Sequence, residues 1–247
     1  MVEIQQSVFC EELLAAAEKN GVSSLLNGER AEKFFLLTKH MLTVNESFNL
    51  TAIKEPRRII FLHYIDCLLG ASFFPLGASV IDVGCGAGFP SLPLAICRPD
   101  LKITGLDATG KKAKYVKDTA SLLGLSNVDT VTARAEDAAH LSSMREAFDC
   151  ATARAVAGLP VLCEICLPFV KKNGLFIAMK GKNAGEELEA ARSALEKLGA
   201  KEEQTHATHI HDFSGETFLH TTLLLRKKEE TPALYPRPYA KILKKPL

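Results

Sequence analysis

The stretch Asp82-Val83-Gly84-Cys85-Gly86-Ala87-Gly88 decides the fold of this chain. It follows an apolar, strand-like segment (79–81) and precedes a helix-like one (91–97). Glycines at alternate positions let the backbone turn sharply off a strand end and let a ligand approach the main chain. The dinucleotide fingerprint would have its third glycine where Phe89 stands, and no Gly-Lys-Ser/Thr follows to grip a triphosphate. The loop is therefore predicted to hold another nucleotide-type cofactor.

The composition bounds what surrounds this loop. The chain has 247 residues, of which 47% are hydrophobic and 24% charged, which suits one main domain with an appendage. It has no run of about eighteen apolar residues and no signal-peptide pattern, so we expect a cytoplasmic protein that does not cross a membrane. Seven cysteines scattered through apolar segments fit a reducing compartment. The formal net charge of +1 means that any basic surface for nucleic acid must be local.

Hydrophobic periodicity divides the chain into three parts. Residues 1–76 show helical spacing and are predicted to form an N-terminal helical extension. Short β-branched runs alternate with amphipathic stretches over 77–228, which indicates βαβ units and a parallel sheet. The last two runs, 205–210 and 217–226, are too close for a crossover helix and should pair as an antiparallel hairpin. Residues 229–247 are rich in proline and lysine and are predicted to be a tail rather than a folded element.

The predicted fold is therefore α/β, with a mostly parallel seven-stranded sheet that ends in a C-terminal antiparallel hairpin. An Asp-x-Gly-x-Gly-x-Gly loop on such a sheet resembles motif I of the Rossmann-like class I methyltransferases, which bind S-adenosylmethionine (SAM). The resemblance implies SAM as the cofactor, with Gly84 and Gly86 beside it. A Gly-rich turn without function, or a site for another nucleotide, is the alternative.

The residues at the strand exits are the next candidates, because ligands of doubly wound sheets lie beyond the carboxyl ends of the strands. Asp107 ends the second strand, where a carboxylate can accept hydrogen bonds from ribose hydroxyls; a solvated loop aspartate is the alternative. Ala135 and Glu136 follow the third strand, where a backbone amide can read the adenine edge, although Glu136 could be a helix cap. Arg154 follows the fourth strand, and its planar fork suits a carboxylate, a phosphate or a guanine edge. An arginine without a role is the alternative there.

Further motifs lie outside the cofactor loop. In chain order they are Asn49-Leu50-Thr51-Ala52-Ile53, His63-Tyr64-Ile65-Asp66-Cys67-Leu68, Leu106-Asp107 with Lys111-Lys112, Arg134-Ala135-Glu136-Asp137, Arg154-Ala155-Val156-Ala157, Lys180-Gly181 and Lys245-Pro246-Leu247. From about residue 33 onward the pattern resembles the bacterial 16S ribosomal RNA 7-methylguanosine methyltransferase family, RsmG or GidB. The resemblance implies SAM-dependent methylation of nitrogen seven of a guanine in a 16S loop near the decoding centre. The cofactor contacts that it implies are Gly84, Phe89, Ala135, Glu136 and Arg154, to which the general methyltransferase pattern adds Asp107.

The chain departs from the family pattern at several places. Val44 stands where the family often has tryptophan, and Cys85 and Ser91 replace the usual serine and glycine of the loop. The end of the chain lacks the typical Gly-Thr-Pro. None of these changes removes a glycine that would face the cofactor.

The chemistry requires little of the protein, because nitrogen seven of guanine carries an in-plane lone pair that needs no deprotonation. We therefore nominate no acid-base pair and expect catalysis by positioning. Arg154, Asn49 and His63 are the candidates to assist, with Thr51 also available to receive the base. His63 and Asp66 lie three apart on one helix face, but a structural histidine is the preferred interpretation.

Two basic clusters are candidates for binding RNA. The residues of the tail cluster are Arg237, Lys241, Lys244 and Lys245, and those of the helix cluster are Lys111, Lys112, Lys114 and Lys117. The alternative for the tail is that it docks on the catalytic domain through Tyr235, Tyr239, Ile242 and Leu243. For the helix cluster we favour a solvated face without a role.

Other motifs carry less weight. Cys163 and Cys166 have CxxC spacing but lie in an apolar run, so core packing is preferred. His209 and His211 would share a strand face without a third ligand, and we predict no metal site.

The partner expected is 16S RNA or the small ribosomal subunit, and the protein is expected to be monomeric. A methyltransferase for a small molecule or a protein, and a non-catalytic SAM- or RNA-binding module, are the alternative functions.

Overall fold

The computed structural model describes residues 5–247 and contains one sheet of seven strands in the order β3-β2-β1-β4-β5-β7-β6. Strands β1 to β5 run parallel, and β7 runs antiparallel to both β5 and β6. The strands are β1 (Ser79–Val83), β2 (Lys102–Asp107), β3 (Val128–Thr132), β4 (Phe148–Arg154), β5 (Val170–Lys180), β6 (Ala200–His211) and β7 (Thr217–Lys227).

The N-terminal part is helical. Its elements are α1 (Gln6–Lys19), α2 (Gly28–Asn45), α3 (Pro56–Ile59), a π-helix (Ile60–Ile65) and α4 (Asp66–Leu69). The side chain of Asn27 accepts a hydrogen bond from the amide of Arg30 and so caps the start of α2. Glu55 caps α3 in the same way, accepting from the amides of Arg57 and Arg58. Helices α2 and α3 therefore each start after a residue whose side chain satisfies free backbone donors.

The remaining α-helices follow the first strand; all but α11, which comes after the last strand, connect strands. They are α5 (Ser91–Cys97), α6 (Gly110–Leu122), α7 (Ala135–Ala138), α8 (Leu159–Cys166), α9 (Ala184–Ala190), α10 (Arg192–Lys197) and α11 (Tyr239–Lys244). α5 follows β1, α6 follows β2, α7 follows β3 and α8 follows β4, as right-handed crossovers in a parallel sheet require. Each β-to-α loop thus opens at the carboxyl edge of the sheet, which is where the candidate site lies.

Helices cover both faces of the sheet at its central strands, where successive residues point to opposite sides. Ile81 of β1 packs in the core formed with α8 to α10, whereas its neighbour Val80 packs on the other side against α5. The N-terminal helices form a further core with α5 and α6, in which Leu92 and Val116 are fully buried. The helical extension is therefore packed against α5 and α6, the helices that follow β1 and β2.

The fold predicted from the sequence is confirmed, including the parallel sheet and the C-terminal antiparallel hairpin. The tail differs from the prediction, because 239–244 form α11 and the side chain of Ile242 is fully buried. The boundaries 1–76, 77–228 and 229–247 stay a prediction.

Among residues 5–247, no helix has the length and apolar character needed to span a bilayer. Cys163 and Cys166 lie in the core on α8.

Candidate active site

The glycine loop after β1 is tied to the end of β2. The amides of Gly84 and Cys85 both donate to the carbonyl of Leu106, at 2.7 and 3.0 Å. Gly84, Gly86 and Gly88 have φ angles of +78°, +55° and +83°, which lie in the left-handed region that residues with a Cβ rarely adopt. The sharp turn predicted from the sequence is therefore built on three left-handed glycines.

Two of these glycines leave no room for a side chain. A Cβ on Gly84 would lie 2.8 Å from Cγ2 of Val156, and one on Gly88 would collide with Leu92. A Cβ on Gly86 would have no heavy atom nearer than 3.7 Å. Gly84 is thus the point at which the loop backbone faces the residues that follow β4.

Asp107, at the end of β2, is held in a defined orientation. One carboxylate oxygen accepts from the amide of Gly86 at 3.0 Å, and the other accepts from the amide of Thr109 at 2.8 Å. A carboxylate has about four lone-pair sites, so acceptor capacity remains for a ligand. The aspartate therefore connects the glycine loop to the exit of β2.

A cleft of about 180 Å³ opens between these loops. The residues that line it are Val83, Gly84, Leu106, Asp107, Ala108, Ala133, Arg134, Ala135, Glu136, Val156, Ile165 and Tyr239. Carboxylates of Asp107 and Glu136 lie in the same cleft as the apolar side chains of Val156 and Ile165. A nucleoside needs acceptors for its ribose hydroxyls and apolar surface for its base, so the side chains present fit SAM.

Asp82 lies beneath the loop. One of its oxygens accepts from the hydroxyl of Ser91 at 2.5 Å and from its amide at 3.2 Å, while the other oxygen is buried without a hydrogen-bond partner. Complete burial raises the pKa of Asp82 to about 6, against the opposing hydrogen bonds from Ser91. Asp82 thus anchors α5 to β1 and leaves an unsatisfied acceptor under the glycine loop.

Phe89 links the loop to the N-terminal helices. Its ring stacks on His63 with centroids 4.4 Å apart and planes 17° apart, and the guanidinium of Arg154 lies 5.3 Å from the ring centroid. Phe89 is 5% exposed and does not line the cleft. Its assignment as a cofactor contact stays a prediction, and its side chain packs against the network described next.

Arg154 is the centre of a buried hydrogen-bond network. Its Nη1 donates to Asp66 at 2.9 Å and to the carbonyl of Leu62 at 3.1 Å, and its Nη2 donates to Nδ1 of His63 at 3.0 Å. The other oxygen of Asp66 accepts from His220 at 2.7 Å. Burial alone would raise the pKa of Asp66, but the hydrogen bond from His220 and the charge of Arg154 outweigh burial and hold that pKa below its usual value.

His63 is neutral and its tautomer is determined by its neighbours. Burial, together with the positive charge of Arg154, lowers the pKa of His63 to about 3. Arginine has only donors, so Nδ1 must accept and Nε2 must carry the proton. Nε2 then donates to Oγ1 of Thr51 at 3.0 Å. The interpretation of His63 as a structural histidine agrees with this geometry.

The loop that carries Thr51 is shaped by Asn45. Oδ1 of Asn45 accepts from the amides of Leu50 and Thr51, and Nδ2 donates to the carbonyl of Thr51. Asn49 in the same loop is exposed. The structure therefore brings Thr51, His63, Arg154 and Phe89 together and leaves Asn49 outside their network.

The predicted RNA-binding residues fall into two groups. Arg237 differs from the other three residues of the tail cluster, because its guanidinium binds the fully buried carboxylate of Glu164, and its role in binding RNA stays a prediction. Lys241, Lys244 and Lys245 are exposed on and beside α11. Within the helix cluster Lys114 pairs with Asp118 and Lys117 lies 3.9 Å from Asp129, which supports the interpretation as a solvated face.

Three residues of the site were missed by the sequence analysis. Tyr239 lines the cleft, Glu164 binds the tail, and His220 completes the contacts of Asp66. A glutamate inside the apolar run 159–170 was the one available signal, since a buried carboxylate needs a partner. In residues 5–247 no group of at least three His, Cys, Asp or Glu side chains could hold a metal ion.

Asp107→Ala is expected to weaken SAM binding about 10- to 150-fold, since each charge-assisted hydrogen bond contributes about 1.5–3 kcal/mol. Isothermal calorimetry measures the change. Asp129→Ala on β3 is the control, because that side chain is 76% exposed and is not among the residues that line the cleft. An affinity of Asp107→Ala within twofold of the parent would remove this residue from ribose recognition.

The chain is similar to a family of known proteins. The GidB family model, described as rRNA small subunit methyltransferase G, matches residues 30–214. A relative from Clostridium perfringens, named ribosomal RNA small subunit methyltransferase G, is 41% identical over 230 residues, covering 92% of this chain and 95% of the relative.

Solved structures show the same fold at low sequence identity. The TYW2 protein of M. jannaschii, crystallised with AdoMet, superposes with a TM-score of 0.51 at 16% identity, over 66% of this chain and 75% of that one. The YcgJ protein of Bacillus subtilis gives a TM-score of 0.50 at 16% identity, over 68% and 100%. The architecture is therefore the Rossmann-like class I fold.

Proposed function

Because this chain belongs to the GidB family of ribosomal RNA small subunit methyltransferases, we propose that it methylates nitrogen seven of a guanine in 16S ribosomal RNA near the decoding centre. Family membership makes it a SAM-dependent ribosomal RNA methyltransferase. The atom and the position on the RNA are the part proposed. The observation that supports nitrogen seven is the hydrogen-bond network around His63.

That network holds no free base. Nδ1 of His63 accepts from Arg154 and Nε2 donates to Thr51, so neither ring nitrogen can take a proton from a substrate. Each oxygen of Asp66 accepts a hydrogen bond, one from Arg154 and one from His220, and the pKa of Asp66 is held below its usual value, so this carboxylate is a weak base. A nucleophile that must lose a proton would therefore find no effective base in this network. Nitrogen seven of guanine needs none, because its lone pair lies in the ring plane outside the aromatic system.

SAM, when bound, supplies an electrophilic methyl group. The protein then has to hold the base in line with that group, a positioning effect that can reach about 7–11 kcal/mol. Gly84, Asp107, Ala135 and Glu136 are proposed to hold the cofactor in the cleft. The Phe89–His63–Thr51 contacts connect the glycine loop to the N-terminal loop, which is proposed to receive the base.

Thr51 is proposed to select guanine. Its Oγ1 accepts from the amide of Ile53 at 3.0 Å and from Nε2 of His63 at 3.0 Å, which uses both lone pairs. The hydroxyl proton is then left to donate. Guanine has acceptors at nitrogen seven and O6, whereas adenine has an amino donor at the position of O6. A hydroxyl that donates to O6 would favour guanine and leave the lone pair of nitrogen seven for the methyl group.

Thr51→Val is expected to lower kcat/KM for the RNA about 5- to 150-fold, since one base-edge contact is worth about 1–3 kcal/mol of discrimination. Thr51→Ser keeps the hydroxyl and should retain most of the activity. SAM affinity, measured by calorimetry, should change little in either variant. Equal kcat/KM for the valine and serine variants would show that the hydroxyl does not read the base.

RNA contacts outside the base are proposed for Lys241, Lys244 and Lys245. These side chains are exposed, whereas Arg237 is bound to Glu164. Phosphates bound by them would release counterions and make affinity salt-dependent. A monomeric enzyme acting in the cytoplasm, on free 16S RNA or on small subunits, is proposed to use this surface.

Product identification tests the function. The enzyme is incubated with labelled SAM and three acceptors: 16S RNA lacking the modification, small subunits lacking it, and total small metabolites. We expect 7-methylguanosine in the RNA digest, and no label when guanosine is replaced by 7-deazaguanosine, which has carbon in place of nitrogen seven. Label in a metabolite would favour the small-molecule alternative. Full transfer to 7-deazaguanosine RNA would exclude nitrogen seven.

A further inference from the structure

The C-terminal segment forms part of the cofactor cleft. Tyr239, the first residue of α11, lines the cleft together with Gly84, Glu136 and Ile165. Its ring packs against the same core that contains Ile165 and Ile242. A segment that begins more than a hundred residues after the glycine loop therefore supplies a wall of the site.

A buried ion pair holds this segment against α8. The backbone amide and Nε of Arg237 donate to one oxygen of Glu164 at 2.9 and 2.8 Å, and Nη2 donates to the other oxygen at 2.6 Å. The side chain of Glu164 has no exposed surface. A buried carboxylate that loses its partner is strongly destabilising, so the docked position of the segment is favoured.

Further hydrogen bonds hold the chain that leads into α11. Nε2 of His140 donates to the carbonyl of Pro236 at 2.9 Å, and Nη1 of Arg145 donates to the carbonyl of Tyr235 at 2.9 Å. Both donors come from the chain that follows β3, as do the cleft residues 133–136. The segment is thus tied to the same loops that line the cofactor cleft.

We propose that Tyr239 is a cofactor-contacting residue whose ring packs on the adenine of SAM, and that the Glu164–Arg237 pair is the positioning element that holds it there. The proposal rests on the cleft being the SAM site, as in the proposed function. The apolar walls of the cleft near Tyr239 are Val156 and Ile165. A flat aromatic ring beside them gives a purine the apolar surface that the carboxylates of Asp107 and Glu136 cannot.

One consequence is a coupling between cofactor binding and tail docking. If SAM contacts Tyr239 only when the tail is docked, then binding of SAM stabilises the docked tail. Loosening of the tail in turn lowers the affinity for SAM by the same factor. The exposed lysines of the tail would then be held in their docked positions when the cofactor is bound.

Calorimetry on variants tests the contact. Tyr239→Ala is expected to bind SAM about 10-fold more weakly, or worse. Tyr239→Phe, which keeps the ring, should stay within about twofold. Leu243→Ala is the matched control on the same helix, since that side chain is 54% exposed and does not line the cleft. Unchanged affinity in Tyr239→Ala would overturn the proposal, whereas failure of the wild type to bind SAM would instead refute the proposed function.

Hydrogen exchange tests the coupling in the wild-type protein, so this measurement does not depend on whether a variant folds. In the wild-type protein, SAM is expected to slow exchange of the amides of 239–244, and equal exchange with and without SAM would overturn the coupling. Glu164→Gln should speed exchange of the tail and weaken SAM binding together. A merely structural role would lower Tm in this variant but leave the SAM affinity unchanged, and that result would remove the pair as a positioning element.

Discussion

Gly84→Val is expected to weaken SAM binding by at least about 100-fold, which corresponds to about 2.7 kcal/mol. Gly84 lines the cleft and has a φ of +78°, and a Cβ there would lie 2.8 Å from Cγ2 of Val156. The variant must therefore either strain the backbone or push Val156 aside, and both changes reshape the wall of the cleft. Isothermal calorimetry with SAM measures the loss.

Gly124→Val provides the matched control. Gly124 also has a positive φ, +65°, but a Cβ there would meet no heavy atom within 4 Å, and the residue does not line the cleft. This variant should pay a similar backbone cost and lower Tm while it keeps the SAM affinity of the parent. If a folded Gly84→Val protein bound SAM as tightly as the parent does, the cofactor would have to lie elsewhere.

Arg154→Met is expected to lower the free energy of unfolding by about 3–5 kcal/mol, as is typical when one partner of a buried ion pair is removed. The arginine side chain is 14% exposed and that of Asp66 is 20% exposed. Without the guanidinium, Asp66 and the carbonyl of Leu62 lose their donor, and His63 loses the hydrogen bond at Nδ1. Urea unfolding at pH 7 measures the loss.

Two further variants make this measurement specific. Arg192→Met breaks an ion pair whose side chains are 66% and 65% exposed, so it should leave the free energy of unfolding close to that of the parent. Asp66→Asn added to Arg154→Met removes the uncompensated carboxylate and should recover part of the stability. A cost below about 1 kcal/mol for Arg154→Met alone would show that the network contributes little to folding.

The sequence alone was sufficient to predict the sheet, the hairpin and the glycine turn after β1. Each of these rests on local patterns: strand residues alternate between the two faces, and glycines stand where the backbone turns back toward β2. Gly84, Asp107 and Glu136 line one cleft, as expected from the sequence, because strand exits in a parallel sheet converge at one edge. Their contact with the cofactor stays a prediction. Short-range periodicity and the general rules of parallel sheets carry this information.

The tertiary structure alone decided which distant side chains meet. Arg154 and His63 are separated by 91 positions, and Arg237 and Glu164 by 73, so no periodicity in the sequence relates them. Arg237 was predicted to bind phosphate from its charge alone. The sequence did not show that it forms an ion pair with Glu164, whose buried carboxylate lies in an apolar helix. Tyr239 enters the cleft because that ion pair docks the tail. Contacts of this kind depend on the packing of whole elements, which satisfies buried charges only when the chain is folded.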